Sequence, residues 1–544
     1  MANLTKTNTN TASSLAAYQG AWTKQEAAHL LRRTLFGPTI AQITNATTQG
    51  LAQTVTDLLA IPTIDPPLNY KNDDASVSIG QTWIDKPVPN ANKNKALQSR
   101  YTSTRAWLVE RTILQQQFSV AEKISLFWQN HFSCDFTASD PQGDYEYLML
   151  LRNNCLGNFK QLVKDLTIHP IMLRFLNGHS SSKNHPNENY ARELFELYTI
   201  GKGPQIANGD YTYYTEHDIL ESAKILTGWR YKDHSSKSLP LISSYFTESR
   251  HDNTDKTLSD KFGNKVILGN NASEYSDLID VIFQQDQVAR FICKKIYQWF
   301  VKAEIDTVIV EEMAQTMIAN NYEVAPVLKE LFLSEHFFSI ENRGTIIKNP
   351  IELMASLYKS TNSKLSDLNY TTETNYRILL SMRYSLKITG MEYFQPPNVA
   401  GWTAYYLEPS FSELWINSAL LLNRFNTSDY VTLHSGYANY PINDSRFKIN
   451  LLGFLNQLEQ FSDPSNAETL IDQLELLFSC KPFETNQRSE LKKTLTDGLP
   501  DFEWTTEYND YLANLNNPTY SNPVKKRIQL VLAQLFHMPE FQIQ

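Results

Sequence analysis

The spacing of apolar and polar positions predicts a mostly α-helical protein. In the segments "AAHLLRRTLFG", "KISLFWQNHF" and "ILESAKILTGW", apolar residues recur every three to four positions, which places them on one face of a helix. Each segment follows a hydroxyl residue with an acidic residue three positions later, the pattern of a capping box: Thr23 and Glu26, Ser119 and Glu122, Thr215 and Asp218. We therefore expect ordered structure from about residue 21, and Gly228 is well placed to end the third helix.

Residues 240–270 depart from the helical pattern, because β-branched and aromatic residues there are bounded by Asn, Asp and Gly. This composition predicts a small hairpin or ribbon. Residues 426–520 contain many Asn, Ser, Asp and Pro between short apolar stretches. The predicted organisation is a flexible tail at 1–20, a main helical domain at 21–425, a peripheral helical subdomain or insertion at 426–520, and a C-terminal helix at 521–544 that packs on the main domain.

Composition narrows the functional classes. The 544 residues include 49 basic and 58 acidic side chains, a net charge of −9, and the short run Lys294-Lys295 is interpreted as helix-surface charge. Nucleic acid is therefore not an expected partner. No stretch of about 18 apolar residues is present, which argues against a transmembrane helix. The first residues lack a basic start followed by an apolar run, so a cytoplasmic location is the default expectation.

The four cysteines show no Cys-x-x-Cys spacing, which argues against a structural zinc site or a dense disulfide framework. They are interpreted as small apolar core residues: Cys134, Cys155, Cys293 and Cys480. The chain also lacks a His-Glu-x-x-His motif, a P-loop, a dinucleotide glycine fingerprint and a Gly-x-Ser-x-Gly elbow. No nucleotide cofactor is therefore expected.

The segment "HPNENYARELFELYTIG" raises the main question about chemistry. Asn187 is the predicted N-cap of a helix from Glu188 to about Thr199, with Gly201 ending it. At about 100° per residue, the polar side chains fill one arc: Glu188, Asn189, Arg192, Glu193 and Glu196. This arc has two interpretations, either the solvated side of a surface helix with ordinary ion pairs or the wall of a pocket.

As the wall of a pocket, the arc offers several chemistries. Arg192, held between two carboxylates, would present its guanidinium N–H groups to an anionic or carbonyl group. Glu193, partly desolvated, would serve as a general acid or base, with Asn187 and Asn189 contributing amide groups to a substrate. Carboxylates with a nearby histidine would instead suit a divalent metal. The local sequence does not choose between these alternatives.

Two further segments carry candidate catalytic groups. His131 in "FWQNHFS" lies on the apolar side of its helix. This position suits either a hydrogen-bonded core histidine or a ligand or base that reaches a cavity. "RHDNTDK" brings His251, Asp252 and Lys256 onto a loop or ribbon, where functional groups are often carried. A solvent-facing charged turn is the alternative for the second segment.

The segment "FQPPNVAGWTAYY" places Trp402 in an ordered loop, and Asn417 lies on the predicted helix that follows it. Exposed aromatic rings with a nearby amide would suit a sugar ring or a partner chain. Aromatic packing that fixes a long loop is the alternative. Trp402 and Asn417 are therefore included as candidate substrate-binding residues.

Several motifs together resemble the bacterial domain of unknown function 1800 family. They occur in order from about residue 29 to the C-terminus: "HLLRRTLFGPT", "KISLFWQNHFS", "NENYARELFELYTIG", "YTEHDILESAKILTGW", "HDNTDKT", "KNPIEL", "PPNVAGW", "WINSALLLNR" and "MPEFQ". The resemblance implies no established activity. It implies that related proteins are often exported and often encoded beside the domain of unknown function 1501 family, which resembles alkaline-phosphatase-like hydrolases.

The leading hypothesis is a hydrolase-like or transferase-like enzyme. Its pocket would join the helix at residues 188–196 to the His251 region and to His131. The competing hypothesis is a non-catalytic binding or scaffold protein that acts with the phosphatase-like partner. The sequence leaves the substrate, a divalent metal and the oligomeric state open.

Overall fold

The computed structural model describes residues 14–137, 139–232, 242–269 and 271–544. Helices dominate, which confirms the predicted fold class. The first ten α-helices are α1 (Lys24–Thr34), α2 (Ile40–Gln49), α3 (Leu51–Leu58), α4 (Lys93–Val109), α5 (Ala121–His131), α6 (Pro141–Asn153), α7 (Phe159–Thr167), α8 (Pro170–Phe175), α9 (Glu188–Glu193) and α10 (Glu216–Ile225). The next eight are α11 (Glu274–Ile282), α12 (Gln287–Phe300), α13 (Thr307–Ala319), α14 (Val324–Phe332), α15 (Glu335–Phe338), α16 (Pro350–Lys359), α17 (Thr372–Ile388) and α18 (Ser418–Thr432). The last six are α19 (Leu451–Glu459), α20 (Ala467–Phe478), α21 (Thr485–Thr496), α22 (Asp501–Ala513), α23 (Pro518–Phe536) and α24 (Pro539–Gln542).

The β structure consists of small antiparallel pairs. They are β1 (Gln205–Ala207) with β2 (Asp210–Tyr211), β3 (Trp229–Lys232) with β4 (Ser243–Phe246), β5 (Lys256–Thr257) with β6 (Val266–Ile267), and β7 (Tyr437–Ala438) with β8 (Arg446–Phe447). The predicted ribbon near 240–270 is confirmed by β4, β5 and β6, while residues 240, 241 and 270 lie outside the described residues. Pairs this short gain little stability alone and depend on packing against the helices.

Capping explains where many helices begin. Thr23 and Thr215 form the predicted capping boxes of α1 and α10, so their side chains satisfy N–H groups that a first turn leaves without partners,. At the third predicted site, Ser119 Oγ accepts from the N–H of Ala121, but the N-cap position belongs to Val120. The pattern of Ser119 and Glu122 therefore predicted the start of this helix to within one residue.

The helix of the "NENYARELFELYTIG" segment changes its winding partway along. Asn187 caps α9 as predicted, with Oδ1 accepting from the N–H of Tyr190 at 3.1 Å. The α-helix then gives way to a π-helical turn, Leu194–Thr199, before Gly201 at φ 77°. A π turn bonds residue i to i+5, so the second half of this helix does not follow the rotation of 100° per residue.

The predicted division into a tail, a main domain, a peripheral subdomain and a C-terminal helix stays a prediction. The structure shows which contacts lie near the predicted boundaries. Residues 1–13 of the predicted tail lie outside the described residues, while Tyr18 N–H donates to the carbonyl of Leu333 at 2.8 Å. Helix α18 runs continuously through residue 426. Residues 346–348 pair with the C-terminal residues, through Gln544 N–H to the carbonyl of Ile346 at 2.9 Å. These contacts bring the C-terminal segment beside the site described below.

The hydrophobic core is one continuous cluster that includes residues from α1 to α24. All four cysteines are buried and free, as predicted for small apolar core residues. Among the described residues, no helix is long and apolar enough to cross a membrane.

Candidate functional site

Two basic side chains meet at the end of the π-helical turn. Because the last carbonyls of a helix lack partners within it, those of Leu197 and Tyr198 are free to accept other donors. Lys295 Nζ lies 3.3 Å from the carbonyl oxygen of Leu197, and His131 Nε2 lies 3.0 Å from that of Tyr198. The helix end therefore positions a lysine from α12 and a histidine from α5.

The hydrogen bonds of His131 define its tautomer. A carbonyl oxygen can only accept, so Nε2 must carry the proton that it donates to Tyr198. Nδ1 is then an acceptor, and Lys295 Nζ, 3.2 Å away, donates to it. Burial and the neighbouring charge of Lys295 hold the pKa of His131 well below its usual range. His131 is therefore a neutral acceptor that orients the lysine.

Lys295 is an unusual lysine because no carboxylate of the described residues forms an ion pair with it. Its Nζ lies 4.5 Å from the centroid of the Phe291 ring. Burial, reinforced by the charge of Lys294, lowers the pKa of Lys295 from 10.5 to about 7, because both disfavour the protonated form. The side chain is nevertheless partly exposed. A substantial fraction of this amine is uncharged at neutral pH.

Lys295 lines a small inner cavity of ≈ 50 Å³. Its wall includes His131, Trp299, Asn349 and Tyr405. Trp299 is 7% exposed, and its Nε1 finds no acceptor among the described residues. A buried N–H without a partner is costly, and a cavity of this volume has room for a few water molecules or a small polar group. The wall of the inner cavity thus contains a buried donor without an acceptor among the described residues.

Lys295 also lines a larger outer cleft with a cavity volume of ≈ 630 Å³, a size typical of small-molecule sites. Its aromatic walls come from Tyr213, Phe291, Tyr405, Tyr406 and Phe411. Its charged lining comprises three cationic side chains besides Lys295, namely Lys202, Arg290 and Lys294, against the two carboxylates Glu311 and Glu408. The Arg290–Glu311 pair is close, at 2.7 Å, whereas Lys294 and Glu408 are 3.5 Å apart. The cleft therefore suits a small molecule with an apolar part and a negative charge.

The loop before α18 forms the boundary between the two cavities, since Tyr405, Tyr406 and Phe411 line both. Tyr405 packs against Trp299 with ring centroids 4.5 Å apart, and its hydroxyl accepts from Asn349 Nδ2 at 2.9 Å. The loop is held to α5 because Trp402 N–H donates to Asn130 Oδ1 at 3.0 Å. Asn130 precedes His131 in the chain. This hydrogen bond therefore holds the loop, which forms one side of the site, to the helix that carries His131 on the other side.

Gly401→Ala is expected to loosen this loop. Gly401 has φ 93°, and a Cβ there would lie 2.4 Å from Asn130 Oδ1 and 2.7 Å from its backbone oxygen. Backbone strain and the clash together should lower the free energy of unfolding by about 2–4 kcal/mol. Urea denaturation measures this change. Gly263→Ala is the matched control, since its φ is also positive at 63° but a Cβ would meet nothing within 4 Å; equal losses in both variants would contradict the proposed contact.

The predicted polar arc has a different environment. Glu188 and Asn189 are exposed, and Arg192 forms a bidentate pair with Glu216 at 2.8 and 2.6 Å. Glu193 is half-buried, and burial raises its pKa. None of these side chains lines the inner cavity or the outer cleft. The segment that carries this arc instead contributes to the site the backbone carbonyls of Leu197 and Tyr198 at its C-terminal end.

The second predicted segment forms a separate buried cluster. His251 Nε2 lies 2.8 Å from Glu274 Oε1, and Lys256 Nζ lies 2.5 Å from Glu274 Oε2, all with fully buried side chains. Asp252 turns the other way and accepts from the N–H of Thr254 at 3.0 Å. The cluster ties the β5 ribbon to the start of α11, and its residues line neither the inner cavity nor the outer cleft.

The remaining candidates have local structural contacts. Asn187 Nδ2 donates to the carbonyl of Leu176 at 2.8 Å. Asn417 is exposed and is the N-cap of α18, with Oδ1 accepting from the N–H of Leu420 at 2.8 Å. Trp402 is buried beside Asn130. No group of three or more His, Cys, Asp or Glu side chains within the described ranges is arranged to hold a metal ion.

Of the predicted residues, His131 lines the candidate site, and Lys295 and Trp299 are the residues that sequence reasoning missed. The run Lys294-Lys295 is typical of helix-surface charge, but Lys295 lies one helical turn from both Phe291 and Trp299. A charged residue between two aromatic residues on one face was the available signal. It is also typical of a lysine whose stem covers an apolar surface, so the signal was not specific.

These features define the protein as a mostly α-helical protein with a lysine-centred cleft. The chain matches the family described as "Protein of unknown function (DUF1800)" over residues 29–543. It therefore belongs to that family, as the motifs in the sequence predicted. No curated protein and no solved structure matches the chain.

Proposed function

We propose that this protein is a hydrolase-like or transferase-like enzyme whose active site is the Lys295 cleft. The observation that carries the proposal is the amine of Lys295, which has a pKa of about 7 and lies at the boundary of a cleft of ≈ 630 Å³. A general base works best when its pKa is near the working pH. Lysines acquire this property through desolvation and a neighbouring cation, which are the causes found here.

The contacts of Lys295 leave its reactive electron pair available. An uncharged amine has two N–H groups, and these are used by His131 Nδ1 and the carbonyl of Leu197. The lone pair then has no donor among the described residues and is free to take a proton from a bound hydroxyl or water. His131 positions Lys295, and the Trp299 N–H, which has no acceptor among the described residues, would donate to an oxygen of the substrate.

Low pKa alone does not distinguish this lysine, because burial also lowers the pKa values of Lys348 and Lys359 to about 7. Lys348 Nζ donates to the carbonyl of Phe541 at 2.7 Å. Both side chains are buried and neither lines the outer cleft. Lys295 differs from these two lysines because its uncharged amine lies at the outer cleft, which is large enough for a small-molecule ligand,.

A second candidate function is a non-catalytic binding or scaffold protein that acts with a phosphatase-like partner of the domain of unknown function 1501 family. It is favoured by the caps formed by Asn187 and Asn417 and by the buried His251–Glu274–Lys256 cluster, since these groups have structural partners. This candidate requires no reactive lysine.

Competitive acetylation tests the proposed base. Trace acetic anhydride is added at pH values from 5 to 10, and the modification of each lysine is measured by peptide mass spectrometry. The reactivity of Lys295 is expected to rise with a midpoint near pH 7, whereas exposed lysines follow ordinary values of about 10.4. A midpoint near 10 for Lys295 would refute the base and favour the scaffold.

Activity screens on carboxylic and phosphate esters then use Lys295→Met. Loss of a general base is expected to lower kcat about 100-fold or more. Lys526→Met, at an exposed position of α23, is the control and should keep full activity. An active Lys295→Met protein would remove Lys295 from the mechanism.

A further inference from the structure

The inner cavity and outer cleft together resemble a site for covalent capture of a carbonyl group. Lys295 and Trp299 lie one turn apart on the same face of α12, a spacing that brings side chains together. One carries a lone pair without a hydrogen-bond donor, and the other carries a buried N–H without an acceptor. A carbonyl group is complementary to both, because its carbon accepts a nucleophile and its oxygen accepts an N–H.

We propose that Lys295 condenses with the carbonyl group of a small oxo acid, with Trp299 N–H holding the carbonyl oxygen. This inference rests on the proposed function to the extent that both require an uncharged Lys295. It adds that the amine forms a covalent bond with its ligand and that the ligand is an oxo acid. The carboxylate of the oxo acid suits the outer cleft, where three cationic side chains besides Lys295 face two carboxylates.

The step balances without any other reactant. The lone pair of Nζ attacks the carbonyl carbon, and the π electrons of the carbonyl move to its oxygen, which Trp299 stabilises. His131 Nδ1 is placed to receive a proton from the nitrogen and pass it to the oxygen. Both hydrogens of the amine leave with that oxygen as water, and a C=N bond remains between Lys295 and the ligand.

Aromatic rings lie beside both groups that would bind the carbonyl. Tyr405 covers Trp299, and Phe291 lies against the Lys295 amine. The rings give the amine and the indole apolar neighbours, and the inner cavity has room for a few water molecules or a small polar group,. The bulk of a larger oxo acid would extend into the outer cleft.

Reductive trapping tests the proposal on the full-length protein. The protein is incubated at pH 7 with pyruvate and sodium cyanoborohydride, which reduces an imine to a stable amine, and the adduct is located by peptide mass spectrometry. One adduct at Lys295 is expected, at a rate at least tenfold above that of any other lysine. Lys295→Met should lose this adduct, and Trp299→Phe, which keeps a ring but removes the N–H, should slow its formation about tenfold.

The controls separate this inference from the proposed function. Acetone, which lacks the carboxylate, should label Lys295 more slowly than pyruvate. Scattered labelling of surface lysines, no adduct at Lys295, or an unchanged rate in Trp299→Phe with normal folding would overturn the inference. If competitive acetylation still finds a midpoint near pH 7, the general base stands without the imine; a midpoint near 10 removes both.

Discussion

Replacing Glu274 by glutamine is expected to lower the free energy of unfolding by about 3–5 kcal/mol. Glu274 is the carboxylate that His251 and Lys256 share, and all three side chains are fully buried. Glutamine has nearly the same shape but no charge, so Lys256 would keep its position and lose its counterion. An uncompensated buried charge is among the largest single destabilising effects. Urea denaturation at neutral pH measures the difference.

Glu468→Gln provides the matched control for this prediction. Glu468 also pairs with a basic residue, Arg488 at 2.6 Å, but its side chain is 52% exposed. Exposed pairs contribute about 0–1 kcal/mol because water solvates both partners. Similar losses for Glu274→Gln and Glu468→Gln would contradict the structural role assigned to the buried cluster.

Lys295→Met is expected to stabilise the protein at pH 6, on the order of 2–4 kcal/mol. The pKa of Lys295 is about 7 in the folded protein, against an ordinary 10.5. The unfolded state therefore binds more protons between these two values, and the stability of the native protein rises with pH across this window. Below pH 7 the full penalty of the buried charge is present, and above about 10.5 it has disappeared. Methionine carries no such penalty.

The measurement compares melting temperatures of the native protein and Lys295→Met at pH 6 and pH 10. The stabilisation should be large at pH 6 and should shrink towards zero or reverse at pH 10, where the variant lacks only the hydrogen bonds to His131 and Leu197. Lys526→Met is the control and should change stability by less than about 0.5 kcal/mol at either pH. A pH-independent effect of Lys295→Met would show that the amine is not the titrating group. A stabilising change at this position would also fit a functional site, where activity is commonly retained at the expense of stability.

Local signals predicted the helices well because capping and periodicity depend on neighbouring residues. Asn187, Thr23 and Thr215 cap helices as predicted. The environment of the polar arc from Glu188 to Glu196 was harder to predict, because a sequence does not show which other parts of the fold lie next to a helix. The π-helical turn at Leu194–Thr199 also changed the direction of the last side chains, and no local signal predicted that change.

The sequence by itself determined the family, the helical class, the caps and the small ribbon, since each depends on residues close together in the chain or on an ordered set of motifs. Only the tertiary structure decided that Lys295 lies beside His131, 164 positions away in the sequence. It also decided that His251 faces Glu274 and that Trp299 lines a cavity. The physical reason is that the ionisation of a lysine depends on desolvation and on charges brought near it by folding, and neither is encoded in its immediate neighbours.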